Sequence, residues 1–191
     1  MTKTMRNWLI GGGIVVILGL WGIGSYNNFV QLDVGVDTAW AQVETQYQRR
    51  FDLVPNLVNA VKGTLVQEQK VFGDIAEART RYAGAIGKNP GQAVAAANQL
   101  ESALARLLVI MENYPQLRSI EAVQNLMIQL EGTENRIAVA RERYNESVQM
   151  LNTQTRRFPA NLIAKLFGFE QKEMFKSIEG AENAPAVDLS T

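Results

Sequence analysis

Two carboxylates, Asp52 and Glu134, and the arginines near them are the side chains best able to do chemistry here. Paired as acid and base, carboxylates move protons at a bound substrate, while an arginine holds an anionic group. Their densest neighbourhood runs Gln48-Arg49-Arg50-Phe51-Asp52-Leu53-Val54-Pro55-Asn56-Leu57-Val58. At helical spacing Arg49 and Asp52 are neighbours, and Pro55 leaves the Phe51 carbonyl without its usual backbone donor. Asn56 is a candidate donor to that carbonyl, or a bridge to another helix. Such a helix break suits a site for an anionic lipid or peptide, or for histidine-free hydrolysis. It also suits a polar lock that holds a kinked helix in place, which is the simpler reading.

Composition narrows the choice. Of 191 residues, none is histidine and none is cysteine. Without histidine there is no usual general base, no Ser-His-Asp triad and no Glu-x-x-His di-iron motif. Without cysteine there is no disulfide, thiolate metal site or cysteine nucleophile. No cofactor and no metal site are expected, and the chain reads as a non-enzyme. Nineteen basic and nineteen acidic residues cancel, so no positive field marks a nucleic-acid partner.

Glu134 and Arg141 lie on one apolar stripe with Leu130 and Ile137. Charges facing a core are costly unless paired. Each is therefore expected to meet an opposite charge on another helix, with Arg49, Arg50, Asp52, Glu77 and Arg79 as candidates. A third group lies between Phe158 and Phe169, followed by Met174, Phe175 and Ile178. Leu162, Ile163, Leu166, Phe167 and Phe169 are candidates for an oligomer or membrane contact, with Lys165, Lys172 and Lys176 beside them. The alternative is that they dock across the end of a helical domain.

The elements that must position these groups are helices. Val36, Trp40, Val43, Tyr47, Val54 and Val61 follow a four-three spacing. So do Val123, Met127, Leu130, Ile137, Tyr144, Val148, Leu151 and Phe158. Such stripes mean long amphipathic helices packed at shallow angles, and no segment alternates as a strand would. Gly87-Lys88-Asn89-Pro90-Gly91 and Asn113-Tyr114-Pro115 are loop signals. Between them an Ala-rich helix buries Leu100, Leu104, Leu107, Leu108 and Met111. Ser119 is a candidate cap for a long final helix that runs to about Arg157, before Pro159 stops it. An unbroken helix from Asn27 to Ile86 would reach ~90 Å, so a break near Gly63 is expected. The fold is then all-α, with an elongated antiparallel four-helix bundle behind a transmembrane helix. The alternative is a long two-helix hairpin.

Residues 8–24 (WLIGGGIVVILGLWGIG) carry no charge and span ~25 Å as a helix, against a bilayer core of ~30 Å. Trp8, Trp21 and Tyr26 sit near the ends, where amphipathic rings favour the membrane interface. Lys3 and Arg6 precede the run and Asp33 and Asp37 follow it, which places the N-terminus in the cytoplasm. A cleaved signal peptide is the competing reading. The expected organisation is a cytoplasmic stub over 1–7, the span over 8–24 and a bundle over 25–158. An amphipathic segment over 159–178 and a loose tail over 179–191 complete it.

Several of these stretches together resemble the LemA family. Tyr26-Asn27-Asn28-Phe29-Val30 and Val36-Asp37-Thr38-Ala39-Trp40 look like its opening motif after the anchor. Arg49 to Val58 with Val61-Lys62-Gly63 is similar to its most recognisable stretch. Leu130 to Arg141, Tyr144-Asn145, Phe158-Pro159, Gly168-Phe169 and Pro185-Ala186-Val187 continue the pattern. Gly132 departs from it. The resemblance implies a bacterial single-pass membrane protein with a helical-bundle domain and no firmly assigned activity or ligand. Taken with the residues, it leads to a membrane-anchored scaffold of the bacterial cell envelope. Such a scaffold would sit in the inner membrane with its bundle facing the periplasm or cell exterior. Membrane lipid, further copies of itself and an envelope protein are the expected partners.

Overall fold

The structure, a computed structural model, describes residues 3–87 and 90–175. Lys176, Ile178 and the tail over 179–191 lie outside the described residues. Among the described residues the chain is all-α: α1 (Lys3–Lys62), α2 (Gln69–Ala85), α3 (Pro90–Glu112), α4 (Pro115–Arg118), α5 (Glu121–Arg156) and α6 (Ala160–Phe167).

α1 continues through Pro55 and stops at Lys62. There the N–H groups of Thr64 and Leu65 both bond to the Val61 carbonyl, at 3.0 Å each, and Leu65 is fully buried. This turn ends the helix where Gly63 signals it, so the two-helix hairpin is not the fold. α2 ends where Ile86 N–H bonds the Tyr82 carbonyl at 3.2 Å, followed by Gly87 at φ +73°. That left-handed backbone is open to glycine at little cost. α5 starts at Glu121 and not at Ser119. Pro115 nucleates the short α4, whose last turn takes up the Ser119 N–H on Gln116. The Ile120 carbonyl then accepts from Val123 and Gln124, which opens α5.

The chain divides into two compact units, one over Asp37–Arg143 and one combining Met1–Val36 with Tyr144–Thr191. In the Asp37–Arg143 unit, four helices feed one core. Leu57 and Val61 come from α1, Ile75 from α2, Leu104 and Leu107 from α3, and Val123 and Leu130 from α5. Each fully buried Leu or Val contributes ~1.5–3 kcal/mol before ordering costs. Arg106 meets Asp74 at 3.2 Å and Arg81 meets Gln99 at 3.1 Å, so α2 and α3 run antiparallel. Arg50 meets Glu134 and Tyr47 meets Arg141, which sets α1 antiparallel to α5 as well. α3 is apolar enough to cross a membrane, but its apolar face fills this core.

The stripes fall largely where the spacing predicts. Val36, Val43, Tyr47, Val54 and Val61 are buried, as are Val123, Leu130, Ile137, Tyr144, Val148 and Leu151. Trp40 and Met127 are half-buried, and Phe158 is 76% exposed because α5 has ended before it. In the other unit, α1 displays large apolar side chains from Trp8 to Ile23, whereas Phe29 is fully buried.

Candidate functional site

The sequence-predicted polar residues all fall in the Asp37–Arg143 unit, and the structure separates them. Arg50 forms an ion pair with Glu134, joining α1 to α5, with side chains 15% and 42% exposed. Buried Arg50 Nε has no hydrogen-bond partner among the described residues. Asp52 is exposed and accepts from Gln48 Nε2 at 2.9 Å, one turn away on the same helix. Asp52 and Glu134 are thus engaged separately and do not form a carboxylate pair. Arg49 and Asn56 are exposed on α1.

Arg141 is the hub of a second contact. Its Nε and Nη2 donate to the Tyr47 hydroxyl at 3.0 and 2.6 Å. Nη2 also reaches Asn98 Oδ1 at 3.4 Å and Glu101 Oε2 at 4.0 Å, so one guanidinium links α5 to α1 and α3. Its partner charge comes from Glu101 on the Ala-rich helix, which the sequence analysis did not name. Burial raises the Tyr47 hydroxyl above its usual range, although the Arg141 charge opposes this. The phenol stays neutral and serves as an acceptor. Tyr82 is raised too, chiefly by burial.

Aromatic rings close the space between these contacts. Tyr82 lies 5.9 Å from Tyr47 and 5.6 Å from Phe51, and the Arg79 guanidinium sits 4.5 Å over the Phe51 ring. The cavity left among Tyr47, Arg50, Tyr82, Ala97, Leu100 and Glu101 is only about 10 Å³. That is room for about one water molecule and for no substrate. Larger spaces are surface grooves, such as the 380 Å³ one between α2 and α3, whose Asp74, Glu77, Arg81 and Arg106 are already paired. Among the described residues, no group of three or more acidic side chains could hold a metal ion. Thr133, fully buried, turns its hydroxyl back to the Leu130 carbonyl at 2.7 Å.

The C-terminal candidates lie in the other unit. α6 closes on Gly168 at φ +76°, where Phe169 N–H bonds the Ala164 carbonyl at 2.9 Å. Phe167 meets Tyr26 edge-on at 4.8 Å, and Phe169 stacks on Phe29 at 5.0 Å. The chain beyond α6 is held by amide clamps. Asn152 exchanges two hydrogen bonds with the Lys172 backbone, at 2.8 and 2.9 Å, and Asn145 does the same with Phe175, at 3.1 and 2.8 Å. The Tyr144 hydroxyl donates to the Glu173 carbonyl at 3.2 Å, and Lys172 pairs with Asp33 at 2.6 Å. Sequence reasoning missed this clamp. Its signal is the pair Asn145 and Asn152, one heptad apart beside the apolar stripe.

An all-α domain whose helices meet through arginine contacts, with an apolar N-terminal helix long enough to cross a membrane, is the class these features define. A model described as the LemA family matches residues 39–189, and the chain belongs to that family. Among its relatives are the magnetosome proteins MamQ 1 and MamQ 2 of Paramagnetospirillum magneticum. Each is 28% identical over 175 residues, covering 79% of this chain and 64% of the relative. The magnetosome protein MamQ of Magnetospirillum gryphiswaldense is 28% identical over 174 residues, covering 78% of this chain and 64% of the relative. The chain thus spans less than two thirds of the length of the curated relatives it matches.

Proposed function

We propose that this protein is a non-catalytic, membrane-anchored helical scaffold of the bacterial cell envelope that assembles with further copies of itself. The observation that carries this reading is the closure of its polar groups. Arg50 with Glu134, and Arg141 with Tyr47 and Glu101, tie helices together around a space too small for a substrate. A half-buried arginine held this way favours one choice and register of neighbouring helices. Arg49, Asp52 and Asn56 stay at the surface, where an envelope protein partner can engage them.

The anchor in this reading is residues 8–24, single-pass in the inner membrane. Residues 1–7 are cytoplasmic, and the helical domain over 25–158 faces the periplasm or cell exterior. The absence of charge from Trp8 to Gly24, with Lys3 and Arg6 before it, supports that orientation. Confinement to a membrane raises effective concentration, so modest contacts suffice for assembly. Native mass measurement of the full chain in mild detergent tests the proposal. A defined oligomer is expected, and a monomer at every protein-to-detergent ratio overturns self-assembly. Protease added outside spheroplasts should digest the domain, and full protection would reverse the topology.

A further inference from the structure

α6 keeps step with α1. The Ile163 Cδ1 lies 3.9 Å from the position a Cβ would take at Gly22, and one turn on, Phe167 meets Tyr26 at 4.8 Å between ring centroids. Four residues on α6 match four on α1, so the two helices run parallel. By that register α6 occupies the level of residues 19–26, across the end of the apolar run over 8–24. Gly22 is two residues short of that end, about 3 Å at helical rise. A groove of about 480 Å³ lined by Trp21, Gly24, Arg157 and Phe158 places the start of the segment at this same level.

This register sorts the residues of α6 onto two faces. Ala160 and Ala164 are buried, and Ile163 turns to α1. Leu162 and Leu166, four residues apart, form the opposite line and are 56% and 74% exposed, and Phe158, in the turn before the helix, is 76% exposed. That apolar line is continuous in level with the exposed Trp21 and Ile23 of α1. Arg157 and Lys165, exposed at its borders, suit lipid phosphates.

We propose that α6 is a second membrane element, a stub seated against the anchor whose Leu162 and Leu166, with Phe158 before them, contact lipid acyl chains at the bilayer boundary. This rests on residues 8–24 crossing the bilayer. The same contact pins the strap that follows: Lys172, paired with Asp33, stands about 14 Å beyond the end of the apolar run, in water. Aromatic Trp21 and Tyr26 lie within the level that α6 covers, which is the depth such rings favour.

The chain has no cysteine, so one introduced cysteine carries one nitroxide label. Leu162→Cys and Leu166→Cys, in the full chain in phosphatidylethanolamine–phosphatidylglycerol nanodiscs, are compared with Ile14→Cys in the apolar run and Glu146→Cys on α5. The ratio of accessibility to oxygen over a water-soluble nickel chelate is expected to be several-fold higher at both α6 positions than at Glu146. It should also be higher at Leu162 than at Leu166. Phe158→Cys reads the exposed apolar residue just before α6, should a label disturb the helix. Ratios at all three equal to Glu146, with Ile14 in lipid, overturn the proposal and leave the anchor standing. Shielding from both reagents with spin–spin broadening identifies a second copy as the occupant and also overturns it. A water-accessible Ile14 refutes the anchor, and the proposal falls with it.

Discussion

The unit over Asp37–Arg143 holds together by aliphatic side chains from four helices, tied by arginines. The unit combining Met1–Val36 with Tyr144–Thr191 relies on ring contacts and on asparagine side chains that grip a non-helical backbone. The difference follows from what each must hold. Four amphipathic helices bury apolar stripes against one another and need only a few polar ties to choose their register. Beyond Phe169, whose N–H closes α6, the strap over 170–175 has no helical bonds of its own, so its N–H and C=O groups need outside partners, and Asn145 and Asn152 supply both kinds at once. Aliphatic packing therefore dominates the first unit, whereas in the second ring contacts and directional hydrogen bonds work beside the buried Val36, Val148 and Leu151.

The largest expected effect lies in the first unit. Leu107, fully buried in the core, should cost ~2–5 kcal/mol as Leu107→Ala, measured by urea unfolding, with most of the amides of Asp37–Arg143 losing exchange protection. A loss below about 0.5 kcal/mol would show that this core does not carry the unit. Glu134→Ala is expected to cost ~2 kcal/mol, less than a fully buried pair, because Glu134 is 42% exposed while Arg50 is left short of a partner. The double variant Arg50→Met/Glu134→Leu should recover most of that loss. Failure to recover would assign the pair a role beyond locking helices.

Asn152→Ala removes both bonds to the Lys172 backbone and should cost ~1–2 kcal/mol locally. The expected signature is faster amide exchange and proteolysis over 169–175 with unchanged protection in Asp37–Arg143. Equal loosening of both would erase the contrast between the units. Alkaline titration probes the buried phenols. Because burial raises Tyr82, the native state holds its proton longer than the unfolded chain does. Stability is full below the unfolded pKa near 10 and falls as pH rises above it, by at most about 1.4 kcal/mol per pH unit for this group. Tyr82→Phe should flatten that slope between about pH 10 and 11 in chemical denaturation. The smallest effect is a gain: Gly132 lies inside α5 with open space where a Cβ would stand, so Gly132→Ala should add ~0.5–1 kcal/mol.

Periodicity and punctuation alone determined much of this protein. The buried positions of α1, α3 and α5, the break at Gly63 and the loop before Pro115 are readable because burial follows helical spacing and because Gly and Pro act locally. The uncharged run over 8–24 is equally local. Which charge meets which was not readable. Glu134 had several candidate partners, and the choice of Arg50, like the meeting of Arg141 with Tyr47 and Glu101, depends on how helices far apart in sequence rotate against each other. The C-terminal candidates show the same limit. Composition marks Leu162, Ile163, Leu166, Phe167 and Phe169 as one apolar group. The tertiary structure turns Ile163, Phe167 and Phe169 onto α1 and leaves Leu162 and Leu166 outward, since only a neighbour's position decides which face of a short helix is covered.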